Sequence, residues 1–282
     1  MTIIFFDDQS RETLLPLTAT RPVADLRIGI MKISEKWLFH FKTEGFYQTQ
    51  PYLQDKFLSK STENQIFING SVCPNAIMLE AVEALNEGEA LMSDEVCIAV
   101  KSTKSAINLA DLSEFKVVAY QGFFTKITYP EDLFKYNADA IRADFDVLTK
   151  GRKSEKLSTT NTVIGDDIFV EEGVQAECCN FNTKSGPIYL GKNSQIWEGS
   201  NIRGALALCH DSQIKMGAKI YGATTIGPNS RVGGEINNAV IWGNSAKGHE
   251  GYLGNSVLGE WCNIGADTNN SNLKNNYAEV KL

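Results

Sequence analysis

The 282-residue sequence carries 27 Lys plus Arg against 34 Asp plus Glu, a formal net charge of −7, with 43% hydrophobic and 22% charged residues. That composition supplies a packed core and argues against wholesale disorder, and the acidic balance argues against a nucleic-acid partner. No run of eighteen apolar residues occurs, so no membrane-spanning helix is expected, and an N-terminus reading Met1-Thr2-Ile3-Ile4-Phe5-Phe6-Asp7-Asp8 lacks the basic region and long apolar stretch of a secretory signal, so the chain reads as cytoplasmic.

Residues 3–6 form a short apolar strand that ends at two aspartates. Residues 28–41 carry apolar side chains at helical spacing. Residues 65–68, 96–100 and 115–120 read as short buried strands, and 132–148 as a helix that buries Leu133, Tyr136, Ile141 and Phe145. Strands alternating with helices predict an α/β domain over residues 1–155, with helices on the faces of a parallel or mixed sheet. Glycine then marks a change: residues 1–150 hold five and residues 151–282 hold eighteen, with the boundary in the polar stretch 150–156.

The second half is a repeat. Leu190, Ile196, Ile202, Leu208, Ile214, Ile220, Ile226 and Val232 fall at a constant spacing of six, with Ile164 and Val170 an earlier pair. Leu253, Leu258 and Ile264 follow, each with glycine directly after it, and Asn238 breaks the phase. A period of six fits neither an α-helix nor plain strand alternation; it predicts a hexapeptide parallel β-helix over residues 156–282, with aliphatics stacked along the axis and glycine or asparagine at corners. The six cysteines include no C-x-x-C pair, so a zinc site has no spacing support; in a chain this long without a secretory signal they do not read as a disulfide framework, and small buried thiols are expected. His40 lies in the helical pattern and His210 beside Cys209 in the repeat, and both read as structural.

Lys247, Gly248-His249, Tyr252-Leu253-Gly254, Asn263-Ile264-Gly265-Ala266 and Asn276-Tyr277 go beyond a generic repeat. In this order they resemble the acetyltransferase motif K-A-G-H-x-x-Y-L-G, N-I-G-A, N-Y of the bifunctional bacterial enzymes that make UDP-N-acetylglucosamine. The motif covers about 35 residues and the repeat extends the likeness to about 120. The resemblance implies a left-handed β-helix, a trimer, and acetyl-CoA as donor to an amino-sugar phosphate. By the same resemblance His249 is the general base; an imidazole suits proton removal from an amine at neutral pH. Tyr252, Asn263, Asn276 and Tyr277 match substrate-binding positions, and Lys247 is a candidate for attracting phosphate. The family's upstream basic pair aligns ambiguously, with Lys219 or Arg231 as substitutes. The family also continues for several coils beyond the point matching Leu282, so the chain reads as truncated or as capped by a partner.

In the same family the first half is a Rossmann-like nucleotidyltransferase that uses Mg²⁺ and a nucleoside triphosphate. Residues 15–22, Leu-Pro-Leu-Thr-Ala-Thr-Arg-Pro, resemble its P-L-T-x-x-R-P stretch. Arg11 and Arg21 are thereby candidates for phosphate binding, with a core-rim role the alternative for Arg21. The phosphate-cradling glycine loop is absent: Asp7-Asp8-Gln9-Ser10-Arg11 stands there. Asp7, Asp8 and Asn69 are candidate metal ligands, although an amide is a poorer Mg²⁺ ligand than a carboxylate and two aspartates also serve to end a strand. The expected activity is acetylation of an amino-sugar-1-phosphate coupled to nucleotidyl transfer. The alternatives are nucleotidyl transfer alone, with the β-helix as an oligomerisation or regulatory module, and a non-catalytic scaffold that binds sugar nucleotides.

Overall fold

The computed structural model describes residues 1–270, 273, 276, 278 and 279. The chain forms two compact units: Met1–Leu26 with Met31–Pro130, and Arg27–Ile30 with Glu131–Leu282.

In the first unit, strand β1 (Thr2–Phe6) is apolar on both faces, and Ile3, Ile4, Phe5 and Phe6 are at most 1% exposed. A strand buried on both sides belongs in the interior of a parallel region. Accordingly β1 pairs in parallel with β2 (Gly45–Gln48) on one side and β3 (Gln65–Asn69) on the other. The sheet continues from β3 through Val96–Lys101, Glu89–Ser93 and Lys116–Ala119, with Val96–Lys101 antiparallel to both of its neighbours. This is the predicted Rossmann-like mixed sheet. A separate ribbon pairs Val72–Cys73 with Thr125–Lys126. Helix α1 (Ser10–Thr13) follows β1, and helix α2 (Ile33–Phe41) packs through the fully buried Trp37, whose Nε1 donates to Val72 O at 2.9 Å. Helix α2 begins five residues later than the periodicity predicts, because Arg27–Ile30 is irregular and packs within the second unit.

The second unit is a parallel β-helix of about five turns, the hexapeptide left-handed type expected. One face stacks Thr162–Ile164, Asn180–Asn182, Asn201–Arg203, Lys219–Tyr221 and the start of Glu235–Ile241. A second stacks Ile168–Val170, Ile188–Leu190, Leu206–Leu208, Thr224–Ile226 and the end of Glu235–Ile241. The third stacks Gln175–Ala176, Gln195–Ile196, Gln213–Ile214, Arg231–Val232 and Ala246–Lys247. All eight aliphatics of the six-residue series lie in the axis, none more than 3% exposed. Ile164 departs from the expectation at 42% exposed, because Thr162–Ile164 lies in the first coil, at the outer edge of its sheet. Asn193, Asp211, Asn229 and Asn244 turn successive corners with φ between 56° and 59°, a conformation these short polar side chains tolerate.

Helix α3 (Asp132–Lys135) breaks at Tyr136 and resumes as α4 (Asn137–Thr149). Leu133 and Ile141 are buried as expected, whereas Tyr136 at the break is exposed. Ile141, Phe145 and Leu148 pack on Ala205, Ala207 and Tyr189 of the β-helix together with Ile30. Asn137 knots this contact: its Oδ1 accepts from Gly29 N at 2.8 Å and Thr225 Oγ1 at 3.1 Å, and its Nδ2 donates to Ala223 O at 2.9 Å. Gly29 (φ +74°) permits the approach, since a Cβ there would sit 2.5 Å from Asp144 Oδ2. No helix among the described residues is long and apolar enough to cross a membrane. No cysteine among the described residues forms a disulfide; only Cys179 and Cys209 are buried as expected, Cys73, Cys97 and Cys262 are half-buried, and Cys178 is exposed at a left-handed corner with φ 53°.

Candidate functional site

In the first unit, the carboxyl ends of β1 and β3 open into a cleft of about 800 Å³ lined by Asp7, Asp8, Ser10, Asn69, Cys97 and Lys126, among others. Open α/β sheets bind ligands at this end of their strands. Where a glycine loop would leave backbone N–H groups free, the chain turns at once into α1 and satisfies its own polar groups. Asp7 accepts from Val23 N at 2.7 Å, from Arg11 Nη1 at 3.0 Å and from Thr49 Oγ1. Burial nonetheless holds its carboxyl above the ordinary value, against the pull of Thr49, Val23 N–H and Arg11. Arg11 is 4% exposed and also donates to Arg21 O, Thr18 O and Tyr52 Oη, at 3.1, 2.6 and 2.8 Å. Arg21 is likewise buried and pairs with Asp25 at 3.0 Å.

Asp8 faces a second cation. Its Oδ2 meets Lys126 Nζ at 3.1 Å and accepts from Asn69 Nδ2 at 3.0 Å, while its Oδ1 accepts from Ser10 N at 2.9 Å. Burial alone would raise this carboxyl, but Asn69, Lys126 and Ser10 outweigh it and hold Asp8 below the ordinary value. Asn69 is completed by Cys97 O and by Ser71, whose N and Oγ donate to its Oδ1 at 3.0 and 2.7 Å. Lys126 also donates to Ser10 Oγ. Burial, with Asp8 nearby, pushes the Cys97 thiol up to about 12 and leaves it unreactive.

These residues fit Mg²⁺ poorly. The ion needs carboxylate or carbonyl oxygens in near-octahedral array. Here Asp7 is neutralised by Arg11, Asp8 by Lys126, and Asn69 turns its amide N–H toward Asp8. Among the described residues, no three His, Cys, Asp or Glu side chains come together as a metal site. Lys126 escapes sequence reasoning, because the ribbon pairing Val72 with Lys126 brings a residue so distant in sequence to the end of β1; Ser71 reaches the same place two residues after Asn69, through the pairing of β1 with β3.

In the second unit, His249 lies on the loop between Ala246–Lys247 and Tyr252–Leu258. The loop settles against the glycine pair Gly233-Gly234 of the coil before it. A Cβ on Gly233 would come 2.7 Å from Gly248 O, and one on Gly234 (φ +72°) 2.8 Å from His249 O. Main-chain bonds stitch the two segments, from Gly233 N to Lys247 O at 2.7 Å and from Glu235 N to Gly251 O at 3.2 Å. Glu250 pairs on the outside with Lys219 at 3.6 Å. The His249 side chain is exposed, and its ring has no hydrogen-bond partner among the described residues. Tyr252 is half-buried, its Oη accepting from Asn237 Nδ2 at 3.4 Å. Asn263 is exposed and bridges to Ala246 in the preceding coil. Asn276 lies in an exposed turn, and Tyr277 falls outside the described residues.

Lys247 does not present its charge to the surface. It is 1% exposed, and its Nζ donates to Gly233 O at 3.1 Å and to His249 O at 2.6 Å, with burial lowering its pKa. His210 is an exposed ring paired with Asp211 at 2.8 Å.

The sheet, the cleft at its carboxyl edge and the appended β-helix define a transferase architecture, and the model of the sugar nucleotidyl transferase family matches residues 3–153. The chain belongs to that family. It is also similar to the Bifunctional protein GlmU of Synechococcus elongatus (strain ATCC 33912 / PCC 7942 / FACHB-805), 32% identical over 120 residues, which cover 39% of this chain and 26% of the relative. The Bifunctional protein GlmU of Rippkaea orientalis (strain PCC 8801 / RF-1) is 34% identical over 98 residues, 32% of this chain and 21% of the relative. The chain spans about a quarter of the length of the curated relatives it matches.

Proposed function

We propose that the protein is a transferase of sugar-nucleotide biosynthesis that acetylates an amino-sugar-1-phosphate from acetyl-CoA, with residues 156–282 carrying the acyl transfer and residues 1–155 a coupled nucleotidyl transfer. The amine nitrogen attacks the thioester carbonyl carbon while His249 takes the amine proton; the C–S bond then breaks, and the thiolate of coenzyme A recovers that proton from the imidazolium. Tyr252, Asn263, Asn276 and Tyr277 are the residues that would bind the sugar. The protein works as a cytoplasmic homotrimer. The observation that carries this reading is an exposed imidazole, without a partner among the described residues, on a loop whose backbone is fixed on both sides. The test is thiol release from acetyl-CoA with a panel of amino-sugar-1-phosphates. Release with at least one of them, lost in His249→Ala, supports the reading; no release with any overturns it.

A second reading of the first unit rests on its paired charges: the cleft binds a sugar nucleotide or nucleoside triphosphate, through Lys126 and Ser10, without turning it over. Pyrophosphate release from nucleoside triphosphate and sugar-1-phosphate separates the two. Binding without release favours the second reading; release restores the first.

A further inference from the structure

The third face of the β-helix runs an interior row through Ala176, Ile196, Ile214 and Val232, and the next member is Lys247. The first four are 0–5% exposed and Lys247 is 1% exposed. A lysine thus stands in an aliphatic ladder. The cause is a change in coil length: Gln213 pairs with Arg231 eighteen residues on, but Arg231 pairs with Ala246 only fifteen residues on. An ammonium in an apolar axis costs desolvation that a leucine or methionine of similar length would not. The cost is offset by two carbonyl acceptors, and both belong to the site. Gly233 is half of the glycine pair against which the loop packs, and His249 O is the carbonyl of the proposed base itself. The charge therefore ties the backbone of His249 to the column from within, while Lys219 holds Glu250 from outside.

We propose that Lys247 is a positioning residue that fixes the main chain of His249 so that its imidazole meets the reacting amine; this rests on the reading of His249 as general base. The lysine does not touch substrate. An apolar residue would pack equally well in the row but would release the carbonyl of His249.

The experiment uses the full chain with Lys247→Met, Lys247→Leu and His249→Ala. The readouts are acetyl-transfer kinetics, melting temperature, and the ring resonances of His249, identified by their loss in His249→Ala. The expected result for Lys247→Met is a kcat lower by about ten- to hundredfold, with KM values within about threefold and displaced His249 ring resonances. Its melting temperature should equal or exceed that of the unaltered protein, as Lys247→Leu checks in parallel. Full activity in Lys247→Met alongside loss in His249→Ala overturns the positioning role and leaves the base in place. A melting temperature lower by more than about 5 °C in both lysine variants assigns Lys247 to stability alone and overturns it too. Full activity in His249→Ala removes the base itself, and the proposal with it, whatever the lysine variants do.

Discussion

The cleft at the end of β1 and the loop of His249 handle charge in opposite ways. In the cleft, side chains that sequence patterns assign to phosphate or metal are spent inside the fold: Arg11 on Asp7, and Asn69 on Asp8, which also takes Lys126. On the loop, backbone bonds, the buried Lys247 and the outer Lys219–Glu250 pair hold the chain, and the imidazole has no partner among the described residues. A group that is fully paired inside a fold supports structure, whereas a group whose backbone is fixed but whose side chain is unpaired is available for chemistry. Substitutions in the two places should therefore fail differently.

The largest effect belongs to the loop. His249→Ala should lower acetyl transfer by about 10² to 10⁴, the usual worth of a general base, while an exposed ring leaves the melting temperature unchanged. Initial rates beside a thermal melt check both halves, and a large loss of stability would erase the contrast with the cleft. Next comes Arg11→Met, which should act through the fold. It strands Asp7, already raised by burial, and frees the carbonyls of Thr18 and Arg21. Breaking a buried pair from one side costs about 3–5 kcal/mol, to be read from denaturant unfolding. A change below about 1 kcal/mol would show that the guanidinium is not needed as a brace and is free for ligand.

This contrast also explains what could be seen in advance. The eight aliphatics from Leu190 to Val232 announce the column because each coil keeps its length, and β1 shows itself as four consecutive buried residues. Lys247 was legible only as a lysine near a histidine. Its interior position follows from the coil that loses three residues around Asn238 (φ 52°), so the row passes from 232 to 247 while the six-residue phase runs on to 250. Lys126 left no local trace, since its partner Asp8 is 118 residues earlier and reached only through a two-residue ribbon. The patterns matched at Asp7, Asp8 and Arg11 named the right place in the fold. They could not reveal that opposite charges there neutralise each other, because pairing depends on side-chain direction rather than spacing.

A smaller effect should come from Lys126→Met, the variant that asks whether the cleft retains a use. Its ammonium, 21% exposed at the side chain, is held by Asp8 and Ser10 and lines the cavity. Removing one phosphate-facing cation typically costs about tenfold in affinity, near 1.4 kcal/mol, measurable by titrating a sugar nucleotide calorimetrically. Unchanged affinity would mean that the lysine serves Asp8 alone, and the cleft would then resemble a sealed interior more than a binding site.

The smallest effect is a pH dependence written into Asp8. Its folded pKa lies below the ordinary value, so ionised Asp8 contributes stability that is present above the unfolded carboxylate value near 4 and is lost as pH falls through the lower folded value. Asp8→Asn cannot titrate. The stability difference between the unaltered protein and this variant should therefore be larger at about pH 6 than at about pH 3, shrinking steadily between them in paired denaturant titrations. Because the Asp8 side chain is 21% exposed, solvent screens the pair and the change should stay within about 1 kcal/mol. The opposite slope would mean that desolvation, not Lys126 and Asn69, governs this carboxyl. Asp8 would then be under-compensated in the manner of Asp7, and a divalent cation would again have a reason to bind between them.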